Sequence, residues 1–181
     1  MKKMTKKKPD KQALLTDLAQ HVLKHGLNNA SLRPMAKAAG TSDRMLIYYF
    51  GGKDALIAEL LEHLASQMAV GLDRALPIER VETEDALVMK VLALMRSKDF
   101  YPYTRVWLEI VAGAAQGMSA HRLAGNRIVL IFLEWLALRH PDGERGAPRT
   151  LTLIEGCLVM DAVGHSSVAD LTYQTTQSVS R

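Results

Sequence analysis

Between Ser31 and Lys53 the chain reads SLRPMAKAAGTSDRMLIYYFGGK: two short helical patterns split by a glycine turn, then a tight exit into a third. Leu32, Met35, Ala36 and Ala39 recur at three- and four-residue steps, so they share one helical face. Ser31 stands at the N-cap, and Pro34 falls in the first turn, where a missing N–H costs little. Gly40 closes this helix, Ser42 caps the next, and Asp43 sits at its positive end. Leu46 and Phe50, four apart, can then face the first helix. That leaves Arg44, Met45, Tyr48 and Tyr49 outside, and a soluble domain rarely exposes a tyrosine pair beside an arginine without something to touch. The pattern is a helix-turn-helix.

Charge along the chain points the same way. Residues 1–53 carry eleven Lys/Arg and three Asp/Glu, a balance of +8, whereas residues 54–181 carry twelve and sixteen, a balance of −4. A basic head on a mildly acidic body is suited to a polyanion. A lone Cys157 admits no intrachain disulfide and fits a reducing cytoplasm. The longest apolar stretch, residues 128–138, contains Glu134 and is too short to span a bilayer, so no membrane partner is expected.

Taken in order, residues 1–9 hold five lysines without apolar periodicity and read as a flexible basic arm. Asp10 caps a helix to about His25, with Leu14, Leu15, Leu18, Ala19 and Val22 as its core stripe. After Gly51-Gly52 a long helix runs from Lys53 to about Leu72, and Pro77 ends the connection. Thr83 caps a helix to about Ser97, and others span about 101–117, 120–139 and 149–170, with a plain loop over 140–148. The class is all-α. The expected divisions are a helix-turn-helix domain with its connecting helix over 10–72 and a helical domain over 73–181.

No catalytic constellation accompanies this pattern: there is no phosphate-cradling glycine loop, no HExxH and no Cys/His cluster. Gly113 and Gly117 lie in a helical pattern where small residues permit close packing. Glu109 and Glu134 are isolated acids on apolar helices. No enzyme, cofactor or metal is expected. On the last two long helices, Ile128, Ile131, Phe132, Trp135 and Leu136 form one apolar face and Leu151, Ile154, Leu158, Val159 and Ala162 another. Two copies can pair these faces as a four-helix dimer interface; alternatively, both are consumed within one chain.

The head resembles the DNA-binding domain of the TetR (tetracycline-repressor) family of bacterial transcriptional regulators. The resemblance rests on Ser31-Leu32-Arg33-Pro34-Met35-Ala36, Ala39-Gly40-Thr41-Ser42, Leu46-Ile47-Tyr48-Tyr49-Phe50 and Lys53-Asp54-Ala55-Leu56, and covers about Lys11 to Leu61. Ile47 stands where an aromatic is usual, and Pro34 denies Ser31 the third amide of the helix. The resemblance implies a homodimer on double-stranded DNA with a palindromic operator, a cytoplasmic site of action, and release by a small apolar or amphipathic effector. In the head, Arg33 and Arg44 suit guanine edges, and Ser31, Tyr49 and Lys53 suit phosphates. Thr41 and Ser42 can do either; Met45 joins the exposed face; the Tyr48 ring can meet a thymine methyl or a sugar. Met89, Met95, Tyr101, Tyr103, Trp107, Met118 and Trp135 can surround an effector or can simply be core, with Met89, Tyr103, Trp107, Met118 and Trp135 the lining set expected. The rival within the same fold is an architectural or cell-division DNA-binding protein with no effector.

Overall fold

The computed structural model describes residues 10–28, 30–168 and 170, and among them it is all-helical, with no strand. The lysine arm over 1–9 and the polar end over 171–181 lie outside the described residues. Eight α-helices follow in order: α1 Lys11–His25, α2 Leu32–Ala38, α3 Asp43–Phe50, α4 Lys53–Ala75, α5 Glu84–Met95, α6 Tyr101–Ala115, α7 Ser119–Ala137 and α8 Ala147–Ala162.

Local chemistry sets most of the boundaries. Asp10 accepts from the amide of Gln12, Ser42 from that of Met45 at 3.3 Å, and Thr83 from that of Ala86 at 3.2 Å. Ser31 occupies the N-cap of α2 but makes no capping hydrogen bond, and Pro34 at the third helical position removes one of the two amides that could donate it. At the other end Gly40 takes φ +61°, and the amides of Gly40 and Thr41 return to the carbonyls of Lys37 and Ala36. A left-handed residue at this point turns the chain sharply enough to set α3 across α2.

Two helices depart most from the sequence expectation. α4 continues past Leu72 to Ala75, because nothing interrupts it until Leu76 is held extended ahead of Pro77. α8 begins two residues earlier, since Pro148 sits harmlessly in its first turn, and stops at Ala162 because Gly164 adopts φ +83°. A short 3-10 turn, Gly143–Arg145, occupies the connection before it.

α4 is the axis of the molecule. Leu56, Ile57, Leu60, Leu61, Leu64, Ala65, Met68 and Leu72 are buried along it. Its first half packs with Leu14, Leu18, Met35, Leu46 and Phe50 of the head, and Val106, Ile110 and Ala124 of α6 and α7 join the same apolar cluster. Its second half packs with Leu87, Val91 and Met95 of α5, Trp135 and Leu136 of α7, and Ile154 and Leu158 of α8. α4 is the one described helix long and apolar enough to cross a bilayer by composition, and this burial accounts for its apolar residues.

α6 and α7 pack closely at Gly113, where an added Cβ would lie 2.5 Å from the His121 ring. The distal end is fastened by Arg139, which has no exposed surface. Its guanidinium stacks 3.9 Å from the Trp135 ring and donates to Asp73 at 2.8 Å and to the carbonyls of Leu76 and Trp135. Each of its three nitrogens donates to an acceptor on α4, at the C-cap of α4 or on α7, which is what allows a charge to sit there.

Candidate nucleic-acid interface and effector cavity

The helix-turn-helix divides α3 into two sides. Leu46 is fully buried and Phe50 is 5% exposed, both in the head core, while Tyr48 two residues on is 68% exposed. Ser31, Arg33, Ser42, Arg44 and Lys53 are also exposed; Thr41 and Met45 are half-buried at the edge of the same surface. Tyr49 is half-buried, its ring packed on the head core and edge-on to Tyr48 at 5.6 Å, and its hydroxyl has no hydrogen-bond partner. Hence α3 presents Arg44 and Tyr48 outward, with Arg33 of α2 and Lys53 of α4 also on the exterior.

The cations of this surface are available. Arg33, Lys37, Arg44 and Lys53 have no acidic partner among the described residues. Lys11, by contrast, is spent internally: it pairs with Glu59 at 2.7 Å and lies 5.0 Å over the Phe50 ring. Ser31, relieved of capping, keeps its hydroxyl for another partner. Lys53 opens α4, where the helix dipole adds to its positive charge.

The body holds a narrow apolar cavity of about 50 Å³ between α4, α6, α7 and α8. Tyr103 and Trp107 line it, as does Met95. Met89, Met118 and Trp135 do not line it. Met89 is 40% exposed on α5 and Met118 is 48% exposed at the α6–α7 turn. Trp135 is buried in the distal core, under Arg139, with its indole N–H donating to Asp73 at 2.9 Å. Tyr101 is likewise on the surface. Helical periodicity identifies a side chain that leaves water without saying which neighbour it meets.

The acid in the cavity is one the sequence reading passed over. Glu155 lines it and accepts from the Trp107 indole N–H at 2.6 Å. Burial pushes its carboxyl above the usual range, and the Trp107 hydrogen bond opposes that shift. The available signal was its register, since Glu155 lies four residues after Leu151 and three before Leu158 on the buried stripe. Of the two acids singled out earlier, Glu134 is exposed. Glu109 instead reaches the head: its carboxylate accepts from the amides of Leu27 and Asn28 in the α1–α2 turn, the latter at 3.0 Å. Four residues earlier, Arg105 donates to the Leu23 carbonyl at 2.6 Å.

Of the two alternatives for the apolar faces of α7 and α8, most of the foreseen residues follow the second and are consumed within the chain. Trp135, Leu136, Leu151, Ile154 and Leu158 are buried within the chain, because α7 and α8 turn those stripes onto α4 and α5. Facing outward instead are Leu123, Leu130 and Leu138 on or just beyond α7, and Val159 and Val163 on or just beyond α8. Gly156, on the outward stripe of α8, has open space at its missing Cβ.

An exposed, basic helix-turn-helix on a helical body with an internal cavity defines a class, the bacterial helix-turn-helix regulators. Residues 10–60, the head, match the sequence profile of the tetR family of bacterial regulatory proteins. The HTH-type transcriptional regulator BetI of Brucella anthropi is 27% identical over 147 residues, which is 77% of this chain and 74% of that protein. Among solved structures, a transcriptional regulator of Streptomyces coelicolor A3(2) superposes with a TM-score of 0.69 at 20% identity, covering 91% of this chain and 94% of the other. Salmonella enterica GusR does so with a TM-score of 0.63 at 22% identity, covering 97% and 94%. These likenesses extend the shared fold from the head through the body.

Proposed function

We propose that this transcriptional regulator is a cytoplasmic, ligand-released repressor that binds a palindromic operator as a homodimer. One observation carries the DNA contact: α3 buries Leu46 and Phe50 and turns Arg44 and Tyr48 to solvent, beside unpaired Arg33 and Lys53. A helix of eight residues reaches few base edges, so pairing two heads on a symmetric site supplies the affinity that one lacks. The outward stripes of α7 and α8, apolar at Leu123, Leu130, Leu138, Val159 and Val163, are the surfaces we assign to that pairing. In this account the head and its connecting helix form one working unit, and the helices beyond α4 form the sensing and dimerising unit.

Release follows from the size of the cavity. At about 50 Å³ it admits only a very small molecule, so a larger effector has to spread the helices around it. Two of those helices reach the head, α4 through its packing on Leu46 and Phe50, and α6 through Glu109 and Arg105. An effector that favours the spread state shifts the population away from the one that fits the operator, by no more than its differential affinity for the two.

Selection of bound duplexes from a random pool tests the reading. The expected result is enrichment of an inverted repeat with half-sites in successive major grooves, about one helical turn apart. A pool that enriches no sequence, or only an unpaired half-site, would contradict it.

A further inference from the structure

The chemistry of the cavity constrains what it can take. Its walls are aliphatic and aromatic apart from Glu155 and Thr104, whose hydroxyl donates to the Met95 and Phe100 carbonyls, and no Lys, Arg or His lines it. Trp107 is the one protein donor to the Glu155 carboxylate among the described residues, and it reaches Oε2 alone. A carboxylate set in apolar walls with a single hydrogen bond is poorly compensated, because the desolvation of its charge is only partly offset. Burial raises the Glu155 carboxyl for this reason, while the indole N–H supports the ionised form.

Three ligand types meet this site differently. An anion would face the carboxylate with no cation to offset it. A neutral hydrocarbon would fill the walls and leave the charge as it stands. A cation would neutralise Glu155 and rest against the aromatic faces of Tyr103, Trp107 and Phe132, all of which line the cavity.

We propose, building on the effector-cavity reading above, that the cavity takes a compact apolar cation, an ammonium group on a small hydrocarbon body. Glu155 is its counter-ion, and the Trp107 and Phe132 rings form its walls. Trp107 also holds the carboxylate in place through its indole N–H.

Calorimetry on the full chain at neutral pH tests this with three probes of one shape: cyclopentylamine, cyclopentanol and cyclopentanecarboxylate. The expected order is amine first, by about tenfold or more over the alcohol, and carboxylate last. In Glu155→Gln, whose amide oxygen can still accept from Trp107, the amine falls to the level of the alcohol. An amine no tighter than the alcohol, a carboxylate that binds best, or an amine advantage that survives Glu155→Gln each overturns the proposal. In those cases binding of the alcohol keeps the effector-cavity reading standing. Failure of all three probes to bind overturns the cavity reading, and the proposal falls with it. The order in the unaltered protein decides the matter by itself should the variant not fold.

Discussion

Tyr48 and Leu46 lie two positions apart on α3 in opposite surroundings, one 68% exposed and the other with no exposed surface. Their truncations therefore separate recognition from folding. Tyr48→Ala should leave the melting temperature nearly unchanged and weaken operator binding by about 1–3 kcal/mol, the size of one good contact. Leu46→Ala should instead cost about 2–5 kcal/mol of folding stability through a cavity in the head core. A melting curve and an operator titration on each variant check this, and a Tyr48→Ala protein that loses stability but binds normally would put the recognition face on the wrong side. Glu155 supplies a pH-dependent case. Its carboxyl is raised in the folded state, so the fold favours its protonated form, and that contribution is lost as pH rises through the folded value. Glu155→Gln should accordingly melt higher than the parent at neutral pH, with the gap closing as pH falls toward the ordinary glutamate range near 4.5. A gap that widens in acid would reverse the sign. The sequence made the first of these residues legible and hid the second. Tyr48 is displaced from an unmistakable apolar pair on a short helix, whereas an acid in a long apolar helix reads as the solvent side until the neighbouring helices are in place.

Among the elements, α3 and its flanking turns were the most legible, because caps, glycines and a proline within some twenty residues each demand a particular backbone. α6 was less so. Its span was readable, but its two polar reaches toward the head were not, since Glu109 and Arg105 meet partners about eighty residues away in the chain. Glu109 serves as an acceptor for two amides of the α1–α2 turn that no helix satisfies, one of them next to Gly26, which holds φ +86°. Glu109→Ala should cost about 1–2 kcal/mol of stability in a urea melt, the usual effect of removing charge-assisted hydrogen bonds that partly exposed amides can exchange for water. Unchanged stability would mean that the turn holds itself and that α6 only rests against it. The apolar stripes of α7 and α8 carry a similar lesson. The richest stripe on each helix was foreseen as a candidate subunit interface, yet Trp135, Leu151, Ile154 and Leu158 close the body core instead. A buried helix presents its most apolar side to its own chain first, so the sparser stripe through Leu130 and Val159 is what remains for a partner.

For the whole molecule, the distribution of charge and of leftover apolar surface carries the account. Positive charge is in excess only in the head, +8 over residues 1–53 against −4 over residues 54–181, while exposed leucines and valines lie along α7 and α8 of the body. Leu130→Lys together with Val159→Lys should give a folded monomer by sedimentation velocity, since both side chains are about half exposed and neither fills the core. That monomer should also bind operator far more weakly than the parent. The most direct test is the stoichiometry and salt dependence of the unaltered protein on its selected duplex. Two protomers should bind each inverted repeat, with log Kd against log salt rising by about 0.9 per phosphate neutralised. One protomer per duplex, or an affinity that stays flat as salt rises to physiological strength, would contradict a paired basic head reading DNA.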